Sequence, residues 1–515
     1  MSTSAEVVVL GAGLEGLAAA AELARRGRVV HVLEARATPG GSAAREEFHP
    51  GFHASGLYPD CALTRRALLA PLDLERHGLA WRSDEPALLV PDKSGCPLLF
   101  RRDPAALDGE LPPEERARFT ALAELCARVQ PILAGLLDEA PPDAGRPSAG
   151  ELLALGQKAL RLRRLGKTDM FALARLLPSS ARDWMEDALG MEALRVALSA
   201  PALAGTVLGP RAPGTSAFVF LRQALAAPEP VGGPAALAAA LTAAAQASGA
   251  RLRTGAAAKR LRLDASGVAG VELEGGEVLA TRSVLSTLAP ARTLLELVPA
   301  GTLAPSVERA AQTFRARGAS AFLRLALAAP PAFAGREKEP VERAVSATSL
   351  LALERAADAL KYRRLPAEPW IEVRVPSRSD PSLAPAGQAV AIVACHTVPH
   401  DLSGAGGWND ARRAELEQAL LAAFERLAPG VGAQVLGKEL LTPPDIETRY
   451  GTPGGHLFDG ELALDQLWLQ RPSLVLGRYA TPLPGLFLGG SGSHPGGPFR
   501  GGAGVLAARA LLAAG

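Results

Sequence analysis

The stretch from Val7 to Glu34 constrains this chain more than any other. Val7–Leu10 is a short β-branched run of the kind buried in a parallel sheet. Gly11-Ala12-Gly13-Leu14-Glu15-Gly16 follows at once. Leu17–Arg26 then has the spacing of a helix that lays Leu17, Ala20, Ala21 and Ala24 on a sheet before Gly27 ends it. Val29–Leu33 reads as a second strand with Glu34 at its end. Gly11 permits a tight turn, Gly13 lets a pyrophosphate reach the backbone, and Gly16 lets the helix pack closely on the strand. The helix start offers free N–H groups and a positive dipole end, so Leu14 and Glu15 join the glycines as cofactor-contacting positions. Glu34 is placed to accept both hydroxyls of a ribose. The unit is a Rossmann-type, dinucleotide-binding α/β fold.

Two further glycine clusters choose the dinucleotide. Ala35 and Arg36 lead into Gly40-Gly41-Ser42-Ala43, just past the ribose carboxylate. An NAD domain rarely carries a second glycine pair there, and the pattern matches an extended FAD motif running along the pyrophosphate and ribityl chain. Arg36 is placed to neutralise phosphate charge. Near the far end, Leu486–Leu488 reads as a strand, followed by Gly489-Gly490-Ser491-Gly492 and Gly501-Gly502-Ala503-Gly504, then an apolar helix to Ala514. Such a turn again lets backbone approach a ligand and aims a helix dipole at it.

Composition narrows the remaining classes. Lys plus Arg total 55 against 53 Asp plus Glu, which gives no basic surplus for nucleic acid. The four cysteines (Cys61, Cys96, Cys126, Cys395) form no Cys-x-x-Cys pair, so the reading is reduced thiols in a cytoplasmic protein and no metal centre. His49 with His53 and His396 with His400 have helical spacing but lack a third ligand at supporting distance. The surplus of Arg over Lys and the abundance of Ala read as a bacterial, GC-rich coding bias. The sequence predicts neither a signal peptide nor a membrane-spanning helix.

With these motifs in hand the chain resembles the phytoene desaturase-like FAD oxidoreductases, within the branch of pyridine nucleotide-disulphide oxidoreductase domain-containing protein 2. The resemblance covers nearly the whole chain. It rests on the stretch 7–43, on SARDWMEDALG and GPRAPGTS within 179–216, on 231–255, on PGGHLFDGELALDQL and on LPGLFLGGSGSHPGGPFRGGAG. It implies a discontinuous FAD domain at about 1–75, 228–300 and 472–515, with a substrate domain at 76–227 and 301–471. It puts Ala257 or Ala258 on the adenine, and it adds Gly490, Ser491, Gly502 and Ala503 to the cofactor contacts. Ser491 departs from the wider pattern, where Asp meets the ribityl chain.

The same resemblance implies an FAD-dependent dehydrogenase, desaturase or oxidase of a hydrophobic, isoprenoid or carotenoid-like substrate. Carotenoid ketolases and isomerases share the superfamily. A flavin amine oxidase is the alternative, as is a flavin-binding interaction protein with little turnover. Aromatics are only 4%, and the tyrosines Tyr58, Tyr362, Tyr450 and Tyr479 are scattered, which leaves little material for an amine cage. No second dinucleotide fingerprint is present, so oxygen or a quinone is the expected electron acceptor. His456 and His494 are the catalytic candidates, with Asp459 and Glu461 in the same blocks. Finally, 155–177 predicts a helix with Leu155, Ala159 and Leu162 on one face and Lys158, Arg161 and Arg164 on the other, interrupted at Gly166 before an apolar Phe171–Leu177. That pattern predicts peripheral contact with the inner face of a membrane.

Overall fold

The computed structural model describes residues 5–57, 60–93, 95–107, 109–404 and 406–514. Five strands form a parallel sheet in the order Leu486–Leu488, Ser283–Ser286, Val7–Leu10, Val30–Leu33, Arg251–Arg253. The register sets Val9 opposite Leu285 on one side and Val32 on the other. These strands are hydrophobic on both faces because both faces are covered. On one face lie the helices Leu14–Arg25, Gly233–Ala247 and Gly502–Ala514, which bury Leu17, Ala20, Leu241 and Ala507 together. Alanine lets these helices approach closely. On the other face sits an antiparallel meander, Ala258–Asp264, Gly267–Leu273 and Val278–Ala280, packed through Leu261, Val268 and Val271 onto Val8 and Leu10. The fingerprint helix starts at Leu14, one turn earlier than the apolar spacing indicates, because Gly13 takes the extended N-cap position.

A second, seven-stranded sheet carries the rest of the core, in the order Val435–Leu441, Ala321–Leu327, Ala389–Cys395, Glu372–Arg374, Arg343–Val345, Leu88–Val90, Leu98–Phe100. Its longest strands are apolar on both faces and sort by period two. Leu323, Leu325 and Leu327 meet Leu420 and Phe424 of the helix Asp410–Leu427. Phe322 and Ala326, with Val390, Ile392 and Ala394, face Phe52, Phe218, Leu457 and Phe458 instead. That inner face is the floor on which the site is built.

Six helices between Pro113 and Leu225 cap the sheet edge. One of them, Pro113–Leu137, is long and apolar enough to cross a membrane by length and composition. It lies against the protein through Phe119, Leu122, Cys126 and Val129. The stretch 155–177 falls on two helices, Ala149–Arg164 and Gly166–Leu176, parted where Gly166 adopts φ +85°. The helix Ala149–Arg164 buries none of its residues. Leu152, Leu153 and Leu160 are exposed, and Phe171 on the next helix is 74% exposed.

Candidate functional site

The first glycine cluster makes a cradle. A Cβ on Gly16 would collide with the carbonyl oxygen of Gly11, so only glycine lets helix and strand sit this close. A Cβ on Gly13 would meet nothing within 4 Å, because it points into an open cleft of ≈ 310 Å³. Gly40 donates to the Ala12 carbonyl at 2.7 Å, and a Cβ on Gly41 would lie 3.2 Å from Gly13 Cα. The second glycine pair therefore closes directly on the first. Glu34 is held by two backbone donors, Ala12 N–H at 2.7 Å and Arg36 N–H at 2.9 Å. An ionised carboxylate has about four acceptor sites, so two remain for ribose hydroxyls.

Gly11, Gly13, Leu14, Glu15, Glu34, Ala35, Arg36, Gly41, Ser42, Ala258 and Ser491 all line this cleft. Gly16, Gly40, Ala43, Gly490, Gly502 and Ala503 lie behind the wall and shape it. Gly490, for one, abuts the Thr287 backbone so closely that a Cβ would collide with it. Ala257 is outside the lining, whereas Ala256 and Ala258 are within it, as strand alternation requires. Arg36 does not stand free for a phosphate: it bonds the Gly41 carbonyl at 2.8 Å, pairs with Glu46 and lies 4.8 Å over the Tyr450 ring. Tyr450 in turn donates to Glu46 at 2.7 Å, and buried Arg324 joins Glu46 at 3.0 Å.

The opposite wall comes from Thr287–Ala289, Arg292, Thr448–Thr452, Asp459 and Arg500, of which only Asp459 and Arg500 lie within the C-terminal motifs. Asp459 stands in a left-handed turn at φ +50°, and burial pushes its carboxyl up to about 6 against the pull of Arg500 and Arg471. His456 and His494 reach neither this cleft nor the chamber described below. Burial lowers His456 to about 4, and its Nδ1 accepts the Phe458 N–H at 3.1 Å. Burial lowers His494 to about 3, so both rings are neutral near pH 7. Glu461 is a structural acceptor too. Burial opposes its charge, but Arg317 bonds it at 2.6 and 2.8 Å and holds its carboxyl below the ordinary value. The loop that carries these blocks is organised by buried Arg471, which donates to the carbonyls of Phe458, Gly460, Glu461, Gln466 and Ser491.

Beside the cleft lies an apolar chamber. Leu63, Phe218, Leu221, Phe458, Leu462 and Phe499 line it, and Arg500 borders both chamber and cleft. Its polar end is the ion pair of Asp60 with Arg222. Behind that pair, Arg343 and Arg374 stand 3.6 and 3.7 Å from Asp60, Arg374 meets Glu229 at 3.1 Å, and Arg343 meets Glu372 at 3.3 Å. Three guanidinium groups hold the Asp60 carboxyl far below its usual range despite its burial. Tyr58, two residues away, lies outside the described residues. No titratable pattern in the sequence joins Asp60 to Arg222 or Arg374, which only the fold brings together.

The chain has known relatives. A family model described as FAD dependent oxidoreductase matches residues 6–310. A rat protein, pyridine nucleotide-disulfide oxidoreductase domain-containing protein 2 from Rattus norvegicus, is 31% identical, with 98% of this chain and 93% of that protein covered. Among solved structures, wild-type putrescine oxidase bound to putrescine has a TM-score of 0.60 at 15% identity, covering 99% of each chain. Cyclohexylamine oxidase from Brevibacterium oxydans IH-35A has a TM-score of 0.53 at 15% identity, covering 99% of this chain and 98% of that one. At that identity these two share the fold with the present chain. The mammalian source of the relative lends nothing to the bacterial reading of the composition.

Proposed function

Since the chain belongs to the FAD dependent oxidoreductase family, we propose that it is a dehydrogenase, desaturase or oxidase of a hydrophobic, isoprenoid or carotenoid-like substrate, of the phytoene desaturase-like kind. The observation that carries this reading is the apolar chamber bordering the cofactor cleft at Arg500. FAD fits the cleft by its open space at Gly13, the two helix starts around it and the acceptor sites left on Glu34. Bound there, FAD supplies a two-electron hydride acceptor.

The chain's own residues do the rest. Phe218, Phe458 and Leu462 line this small chamber of ≈ 50 Å³ and exclude water where an apolar segment of the substrate meets it. Asp459, raised to about 6, takes the proton that leaves when a C–C bond becomes C=C. The Asp60–Arg222 pair closes the end and leaves no unpaired charge to an apolar guest. An amine is the poorer guest. A protonated amine entering there meets one carboxylate already shared by three arginines.

The substrate enters from a lipid surface. The exposed Leu152, Leu153, Leu160 and Phe171 stand among Arg161, Arg163, Arg164 and Lys167, a combination suited to the headgroup region of an anionic membrane. Oxygen or a quinone reoxidises the cofactor.

The test fills the chamber. Ala202→Trp should keep bound FAD but lose turnover of a linear isoprenoid hydrocarbon dispersed in liposomes, followed by chromatography of the more unsaturated product. Unchanged turnover in that variant would remove the chamber from the reaction.

A further inference from the structure

Glu15 is the third variable residue of the glycine fingerprint, and its buried carboxylate lines the cofactor cleft. It accepts the N–H groups of Gly501 and Gly504, at 2.8 Å each. It thereby ties the start of the C-terminal helix to the start of the fingerprint helix. The backbones are as close: a Cβ on Gly504 would collide with the Glu15 carbonyl oxygen. Two helix starts converge on one carboxylate, and helix starts are what a dinucleotide pyrophosphate needs. An ionised carboxylate lining that cleft repels the phosphates.

The surroundings do little to hold the charge. One cation, Arg500, faces Glu15, together with a second carboxyl, Asp459, and the buried hydroxyl of Tyr479. Burial pushes the Glu15 carboxyl up to about 7, against both N–H bonds and Arg500. Near neutral pH the empty protein therefore holds a mixture of the two forms, and added negative charge shifts it toward the neutral one.

We propose that Glu15 is a cofactor-positioning residue that makes FAD capture proton-linked, the cleft holding FAD with this carboxyl neutral. The inference rests on FAD as the occupant of the cleft. Its sign follows from linkage: above the apoprotein value a proton must be taken up on binding, so affinity falls as pH rises, while below it the proton is already in place and affinity is flat.

Titration calorimetry of the apoprotein with FAD at pH 8, in buffers of different ionisation enthalpy, counts the protons. The expected result is uptake of about one proton, with affinity falling up to about tenfold per pH unit above neutrality. Glu15→Gln and Glu15→Ala should bind FAD with no uptake and a flat pH profile. Binding without proton uptake, or uptake that persists in the Glu15 variants, overturns the proposal. So does uptake lost only in Asp459→Asn, or failure of both neutral Glu15 variants to bind FAD. Failure of the unaltered protein to bind FAD at any pH would instead remove the cofactor reading itself.

Discussion

The cofactor cleft and the apolar chamber share Arg500 yet are built in opposite ways. The cleft is made chiefly of backbone: glycines that leave room, helix starts that supply N–H groups, and a ribose-facing carboxylate, Glu34, held by two amides. The chamber is made of side chains drawn from distant segments, closed by an ion-pair cluster around Asp60. A backbone site tolerates almost any side chain that points away and almost none that points in. A side-chain site is tuned residue by residue, and its changes should alter the substrate while leaving the cofactor bound.

The comparison is broken most sharply at Gly13. Gly13→Leu puts a side chain into the open cleft and should abolish FAD binding, with the circular dichroism of the apoprotein unchanged. A flavin-loaded variant would show that the cleft is placed elsewhere. Next comes Asp459. With its carboxyl at about 6, kcat/KM should rise with pH through that value, because the base acts when ionised. Asp459→Asn should cost on the order of 10²–10⁴ in rate and abolish the pH rise while FAD stays bound. A variant retaining the profile would assign the proton to another group.

Arg471 separates scaffold from chemistry. Arg471→Met strands the carbonyls of Phe458, Gly460, Glu461, Gln466 and Ser491, and should lower unfolding free energy by about 3 kcal/mol or more in denaturant titration. Stability within about 0.5 kcal/mol of the unaltered protein would contradict that organising role.

The same contrast explains what the sequence reveals. The fingerprint, the second glycine pair and the C-terminal turn are legible because each needs glycine for a steric reason visible in a short window, as at Gly16 against Gly11. Of the two alternatives Ala257 and Ala258, only Ala258 lines the cleft, because the choice depends on strand phase at Ala258–Asp264, which the sequence alone leaves open. His456 and His494 drew attention as titratable residues in conspicuous blocks, yet neither lines the cleft or the chamber, whereas Asp459 beside them faces the cleft. Thr448–Thr452 and Arg222 carry no local signal, because they reach the site through the second sheet and the helical cap. The helix Ala149–Arg164 shows the limit of periodicity: its apolar residues have the right spacing and nothing to cover them.

The smallest expected effect concerns that uncovered surface. Replacing Phe171 and Leu153 with Asp should weaken co-sedimentation with anionic liposomes severalfold at low salt, without changing FAD content. Equal binding before and after would detach the surface from membranes.

The most direct test of the central claim is anaerobic mixing of the FAD-loaded protein with candidate substrates while the flavin absorbance is followed. The account predicts bleaching by a linear isoprenoid or carotenoid-like hydrocarbon presented in liposomes, and none by putrescine or cyclohexylamine. Bleaching by either amine, with the hydrocarbon inert, would contradict it.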